Sequence, residues 1–170
     1  MHFFKSKKKD ILPLYNKIVF LTRKNFFYKD LQLSDSFSIR IYLLFFHLCF
    51  IIIVLKDKQC KKKESQEIFD FFFKQIEINC RELGHSDTTI NKKMKGLINL
   101  FYEILIQCNN WNQLEIDKKN DLLSKFFNNK SYNKIIACKL TIYFDKFYLF
   151  IEDMSLNSLT KGVFNFAYKE

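Results

Sequence analysis

Proline and glycine are nearly missing from this chain of 170 residues, which has one Pro, at position 13, and three Gly, at 84, 96 and 162. A sandwich of many short strands needs turn chemistry every ~8–12 residues, so this poverty predicts long helices instead. Cysteine is scattered: Cys49, Cys60, Cys80, Cys108 and Cys138 form no CxxC and no paired spacing. That pattern argues against a zinc site and a disulfide framework, and fits reduced, buried thiols in a cytosolic protein. The three histidines, His2, His47 and His85, fall in a tail, an apolar run and a turn. There is no GxxxxGK, GxGxxG, HExxH or GxSxG, so no catalytic residue, cofactor site or metal site can be assembled from spacing. The start, HFFKSKKK after Met1, lacks the ~7–15 residue apolar region of a secretory signal.

What is abundant is apolar and aromatic. Hydrophobic residues make up 48% of the chain and 21 residues are Phe, too much greasy surface for a disordered polymer. The length suits one domain with one sizeable core. Net charge is +10, yet only three of the 28 basic residues are Arg (Arg23, Arg40 and Arg81). Lysine excess beside frequent Asn and Ile is also what an AT-rich genome produces without selection for a polyanion, so charge alone does not mark a nucleic-acid binder.

The stretch from Glu64 to Cys108 organises the chain. Ile68, Phe72, Ile76, Asn79 or Cys80, and Leu83 recur at steps of three and four, with Phe69 and Phe73 widening the stripe. Gly84 can end that helix in the left-handed region, and Ser86, Asp87 and Thr88 can cap the next. Ile90, Met94, Leu97, Ile98, Phe101, Leu105 and Cys108 then mark a second stripe, giving an antiparallel helix hairpin. Before it, Leu12, Tyr15, Ile18, Val19 and Thr22 place a stripe on a helix from about Ile11 to Arg23, with Pro13 in its first turn. Asn25 to Leu33 reads as a loop with a short helical turn. Ser34-Asp35-Ser36 caps a further helix containing Ile41 to Leu55, where His47 is the single polar group.

That run falls short of the ~20 apolar residues of a membrane span, which favours a fully buried helix at the centre of a bundle. Insertion, with Arg40 and Lys56-Asp57-Lys58 snorkelling, stays open. His47 reads as a core histidine with a hydrogen-bond partner. After Cys108, a loop over Asn109 to Asn112 leads to a short helix from Leu114 to Asn128, with Leu122, Leu123, Phe126 and Phe127 inward. A break follows at Asn128 to Ser131, then a long helix from Ser131 or Tyr132 to about Asp153 that turns Ile135, Leu140 or Lys139, Tyr143, Phe147, Phe150 and Ile151 inward. Leu159 to Tyr168 alternates like an extended tail. The expectation is therefore all-α: a basic tip over 1–10 and one domain over 11–170, a bundle of about six helices with a short extended C-terminal tail.

Two surfaces suggest interaction. Lys92, Lys93 and Lys95, near Arg81, form either a solvated face or an electrostatic contact for rRNA phosphate or an acidic partner. Phe69, Phe71, Phe72 and Phe73 sweep ~300° of a helix at ~100° per residue, so they cannot share one neighbour. Either another helix of the bundle takes the remainder, or Phe71 belongs to a groove for a client or partner subunit.

Arg81-Glu82-Leu83-Gly84, Asp87, Asn91-Lys92-Lys93-Met94-Lys95 and Phe101-Tyr102 resemble the central signature of the ubiquinol-cytochrome c chaperone family. An earlier block, Leu14-Tyr15, Ile18-Val19, Arg23, Phe27-Tyr28, Leu31, Asp35-Ser36, Arg40 and His47-Leu48, is similar to the family's N-terminal pattern, and Leu159, Gly162 and Phe164 resemble its closing segment more weakly. The stretch from Trp111 to Ser131 adds little. The resemblance implies a non-enzymatic chaperone for assembly of the ubiquinol-cytochrome c reductase (cytochrome bc1) complex. It would bind newly made or unassembled cytochrome b near the ribosome, with a small partner subunit and peripheral membrane contact as further expectations and no role for DNA. Its place would be the bacterial cytoplasm at the inner membrane, or the mitochondrial matrix side in a eukaryote. Hypothetical partner-binding residues are Arg81, Lys92, Lys93, Lys95 and Phe71. Two other readings stay open: a small single-span membrane-anchored protein with basic flanks, and a nonspecific RNA-binding helical protein.

Overall fold

The computed structural model describes residues 3–84, 86–127 and 134–168, with side chains from Ile11 onward. His2, His85, the break at Asn128 to Ser131 and a helix start at Ser131 or Tyr132 lie outside the described residues. Among those described the regular structure is helical, with no strand. In order come α1 (Phe3–Thr22), a π-helical turn (Phe26–Asp30), α2 (Phe37–Asp57), α3 (Lys62–Glu82), α4 (Asp87–Cys108), a 3-10 turn (Trp111–Gln113), α5 (Ile116–Phe127), α6 (Lys134–Glu152) and α7 (Leu156–Thr160). After α7, Gly162 turns the chain with φ +65 into an extended tail that buries Phe166 and leaves Val163 exposed.

The bundle is wrapped around α2, which packs against α1, α3, α4, α5 and α6. Ser36 starts it by accepting a hydrogen bond from the Ile39 amide, and Arg40 forks onto Asp35 at 2.6 and 2.9 Å to fix the entering chain. This helix is long and apolar enough to cross a membrane, but 78% of its most apolar window is buried in the bundle. Phe45 stacks on Phe73 of α3, Phe46 meets Phe127 and Phe144, and Phe50 meets Trp111, Phe144 and Tyr148. Each such side chain contributes about 1.5–3 kcal/mol on burial.

Three expected stripes hold along most of their length and miss at single positions. In α1 the helix begins at Phe3, not Ile11, so Pro13 is interior. Ile18 and Thr22 of the expected stripe are buried and are joined by Leu14 and Leu21, while Leu12 is exposed. In α3, Cys80 is buried while Asn79 and Leu83 are exposed, because the chain is already turning away into Gly84. In α6, Ile136 is inside and Ile135 outside; two adjacent isoleucines offered two phases, and packing against α5 selected the second.

His47, the one imidazole in the Ile41 to Leu55 run, is fully buried and satisfied on both sides. Its Nδ1 lies 2.6 Å from the Leu43 carbonyl, which can only accept, so Nδ1 carries the proton. Nε2 then accepts from the Tyr143 hydroxyl at 2.8 Å, tying α2 to α6. Burial pushes the imidazole pKa down from 6.5 to about 4, and pushes that of the Tyr143 phenol up. A depressed histidine pKa means the unfolded chain binds the extra proton first, so stability is lost as pH falls through the window from 6.5 to about 4. The unfolding free energy from urea titrations should fall over that window by an amount on the order of 3 kcal/mol. His47→Gln should flatten this segment of the profile; an unchanged slope would contradict the assignment.

Candidate functional site

The aromatic run of α3 is divided among three neighbours. Phe72 and Phe71 take the ring of Tyr15 on α1 edge-on, at 5.2 and 6.0 Å. Phe73 faces Phe45 of α2 and Phe101 of α4, and Phe69 faces Phe101 and Tyr102 of α4. Phe71, 8% exposed, is therefore core against α1 and offers a partner almost no surface. The neighbour required by the sweep of four phenylalanines is inside the bundle.

The α3–α4 hairpin closes as its turn residues dictate. Gly84 has φ +79, and Ser86 accepts from the Thr89 amide to open α4. Arg81 holds the turn by bridging Glu77, at 2.9 Å, and Asp87. Glu77 also takes Lys74 at 3.0 Å, and these two cations, Lys74 first, hold its carboxyl below the usual range. Arg81 thus sits in a chain of ion pairs along the hairpin and is not an open cation.

Between α3 and α4 the hairpin leaves a groove of about 510 Å³. Phe69, Phe73, Met94 and Ile98 supply its apolar surface; Asp70, Lys74, Glu77, Asn91, Lys95 and Asn99 supply its polar edge. Beyond it, steps of four along α4 continue through Tyr102 and Ile106, 45% and 75% exposed. Met94, Ile98, Tyr102 and Ile106 make an apolar strip about 18 Å long. Met94 and Ile98 fall on the stripe expected to be buried, and they are only half-buried.

Of the expected basic cluster, Lys95 alone lines the groove. All three lysines are exposed, yet at 100° per residue Lys92 stands about 60° and Lys93 about 160° around α4 from Lys95. They spread over the outer side of α4's first turns and do not make one patch.

Polar groups in the interior are structural. Asp145 of α6 accepts from the Trp111 indole at 2.7 Å and from the Lys119 ammonium at 2.8 Å, and that ammonium lies 5.1 Å from the Trp111 ring. Thr141 donates to the Asn120 side chain at 2.6 Å, a second clasp between α5 and α6. Among the described residues no group of three His, Cys, Asp or Glu is placed to hold a metal ion. His47 has both ring nitrogens engaged, so neither is directed at a ligand.

A family profile described as ubiquinol-cytochrome C chaperone matches residues 29–166. The chain belongs to that family. Membership makes it a chaperone concerned with assembly of ubiquinol-cytochrome c reductase, with a subunit of that respiratory complex as partner. The matched span includes the Trp111 to Ser131 segment that gave little in the sequence. No curated protein matches the chaperone's sequence. Among solved structures, the crystal structure of the Cbp3 homolog from Brucella abortus is similar, with a TM-score of 0.76 and 23% identity over 98% of this chain and 94% of that one. That likeness shows the fold. Asn91, Met94 and Lys95, from the segment carrying the family resemblance, all line the α3–α4 groove.

The two ionic clusters of the chaperone should respond differently to truncation. Asp145→Ala strands a buried ammonium and indole, and should lower unfolding free energy by about 2–4 kcal/mol. Arg81→Ala removes exposed pairs and should cost less than about 1 kcal/mol. Urea titrations of both variants check this, and equal losses would contradict it.

Proposed function

We propose that this chaperone acts without catalysis, by holding newly made cytochrome b until the cytochrome bc1 complex assembles. The α3–α4 groove and the strip running out of it are the proposed client site. An immature membrane subunit exposes apolar helix, and its recognition needs an apolar surface with a polar edge to fix register. The observation that carries the reading is that Asn91, Met94 and Lys95 of the family-like segment line a groove with this character. Several kcal/mol are available from a strip of four half-exposed apolar side chains, enough for reversible holding.

Lys92, Lys93 and Lys95 are proposed to keep the chaperone near the ribosome by attraction to rRNA phosphate, which lysines supply without sequence selectivity. A small partner subunit is a further proposed contact. The proposed place of action is the cytoplasmic face of a bacterial inner membrane, or the matrix face in a eukaryote, with peripheral contact to the bilayer.

Deleting the gene should remove b-type haem signal attributable to the bc1 complex, and Ile98→Asp should reduce it to less than half while leaving the protein folded. A photo-crosslinker placed at Ile98 should capture cytochrome b. Normal haem spectra in the deletion strain would contradict the function, and normal spectra with Ile98→Asp alone would contradict the site. Reversing Lys92, Lys93 and Lys95 to Glu should abolish ribosome co-sedimentation; unchanged sedimentation would remove that assignment.

A further inference from the structure

The two edges of the α3–α4 groove each carry a charge that the fold leaves uncompensated. On the α3 edge Lys74 pairs with Glu77, and Glu77 pairs again with Arg81, so these ions are already matched. Asp70, about two turns nearer the start of α3, is exposed and accepts from the neutral Gln66 amide at 2.7 Å; among the described residues no cation reaches it. On the α4 edge Asn91, Lys95 and Asn99 recur every four residues along the groove, and the exposed Lys95 has no hydrogen bond or ion pair among the described residues. Phe69 lies against Tyr102 and Arg81 against Asp87, which sets the two helices level with each other. Lys95 therefore stands near the level of Glu77, toward the turn. Asp70 stands near the level of Phe101, about six residues or 9 Å along the groove and on the opposite edge.

A uniformly apolar helix is a poor occupant for such a groove. Seating it would take Asp70 and Lys95 out of water with nothing to replace their hydration. Nor is there room to sheath one: the groove and its strip run about 18 Å, the length of about 12 helical residues, where a membrane span needs about 20. What fits is a three-turn amphipathic helix. Its apolar face meets Phe69, Phe73, Met94 and Ile98, a carboxylate on one flank meets Lys95, and an ammonium or guanidinium on the other meets Asp70. Residues five or six apart in a helix are separated by about 7.5–9 Å and stand about 140° or 240° around the axis, which puts them on opposite flanks.

We propose that the client segment held in the α3–α4 groove is a short amphipathic helix bearing an acid and a base five or six residues apart, and not the middle of a membrane span. This rests on the reading of the groove as the client site given above and says which chemistry the site selects. The apolar strip supplies the holding energy, and the two charges set the register of the segment and reject helices that lack their complement.

The test is fluorescence anisotropy of labelled amphipathic peptides of about 14 residues, all with one leucine face, titrated with the full chain. Some carry Glu and Lys on the flanks, five or six residues apart, and their counterparts carry Gln at both places. The better Glu–Lys peptide should bind at least roughly tenfold tighter than its Gln counterpart. The double variant Asp70→Asn, Lys95→Met should lose that preference with circular dichroism and urea midpoint unchanged, since both side chains are exposed. Ile98→Asp should weaken every peptide. Gln peptides that bind wild type equally well or better would overturn the charge requirement, and if Ile98→Asp still weakened them the groove would stand as the client site. A preference that survives in the double variant would also overturn the requirement. Binding by no peptide, or binding indifferent to Ile98→Asp, would overturn both readings, as would a dimer in sedimentation equilibrium that Ile98→Asp disperses.

Discussion

A helix with no wet side must be surrounded. From Ile41 to Leu55 the chain carries no charged side chain at neutral pH, and the bundle exists to cover that stretch: five helices pack on it, and the aromatic excess of the composition is spread around it. Burial of a histidine there is tolerable because both of its nitrogens find partners, one in its own helix and one in α6. The Tyr143 hydroxyl in turn fixes the phase of α6 and, through it, the faces of α5 and the tail.

Residues that make the family recognisable divide into two kinds. Many are architectural. Asp35 and Arg40 lock the entrance to α2, Arg81 and Asp87 lock the hairpin turn, and Gly162 lies so close to α1 that a Cβ there would stand 2.5 Å from the Leu14 backbone. Others, Asn91, Met94 and Lys95, open onto the groove. This division is why a charged signature residue such as Arg81 belongs to the frame, while a half-buried methionine two turns into α4 belongs to the surface that a client would meet.

Local signals were legible in the sequence and distant ones were not. Ser36, Gly84 and Ser86 act within four residues of themselves, and the helix ends they specify are where the residue types place them. The burial of Ile41 to Leu55 followed from its length and flanks. By contrast, the carboxylate that holds Lys119 is 26 residues away, and the partner of His47 is 96 residues away. The Ile135-Ile136 pair could not be phased without knowing where α5 lies. The groove was hidden because Met94 and Ile98 have core composition, and only the packing of α3 against α4 shows that they line an open groove with Phe69 and Phe73 and are half-buried.

The central claim is that the apolar helix is sheathed by its own chain in water, and Trp111, the chain's one tryptophan, reports on it directly. Its ring sits 5.0 Å from Phe50 and is 1% exposed. Acrylamide quenching of the detergent-free protein should be weak until urea unfolds the bundle, and should then rise together with loss of helical circular dichroism. Quenching like that of a free indole in native buffer, or protection that appears only with detergent, would contradict the account.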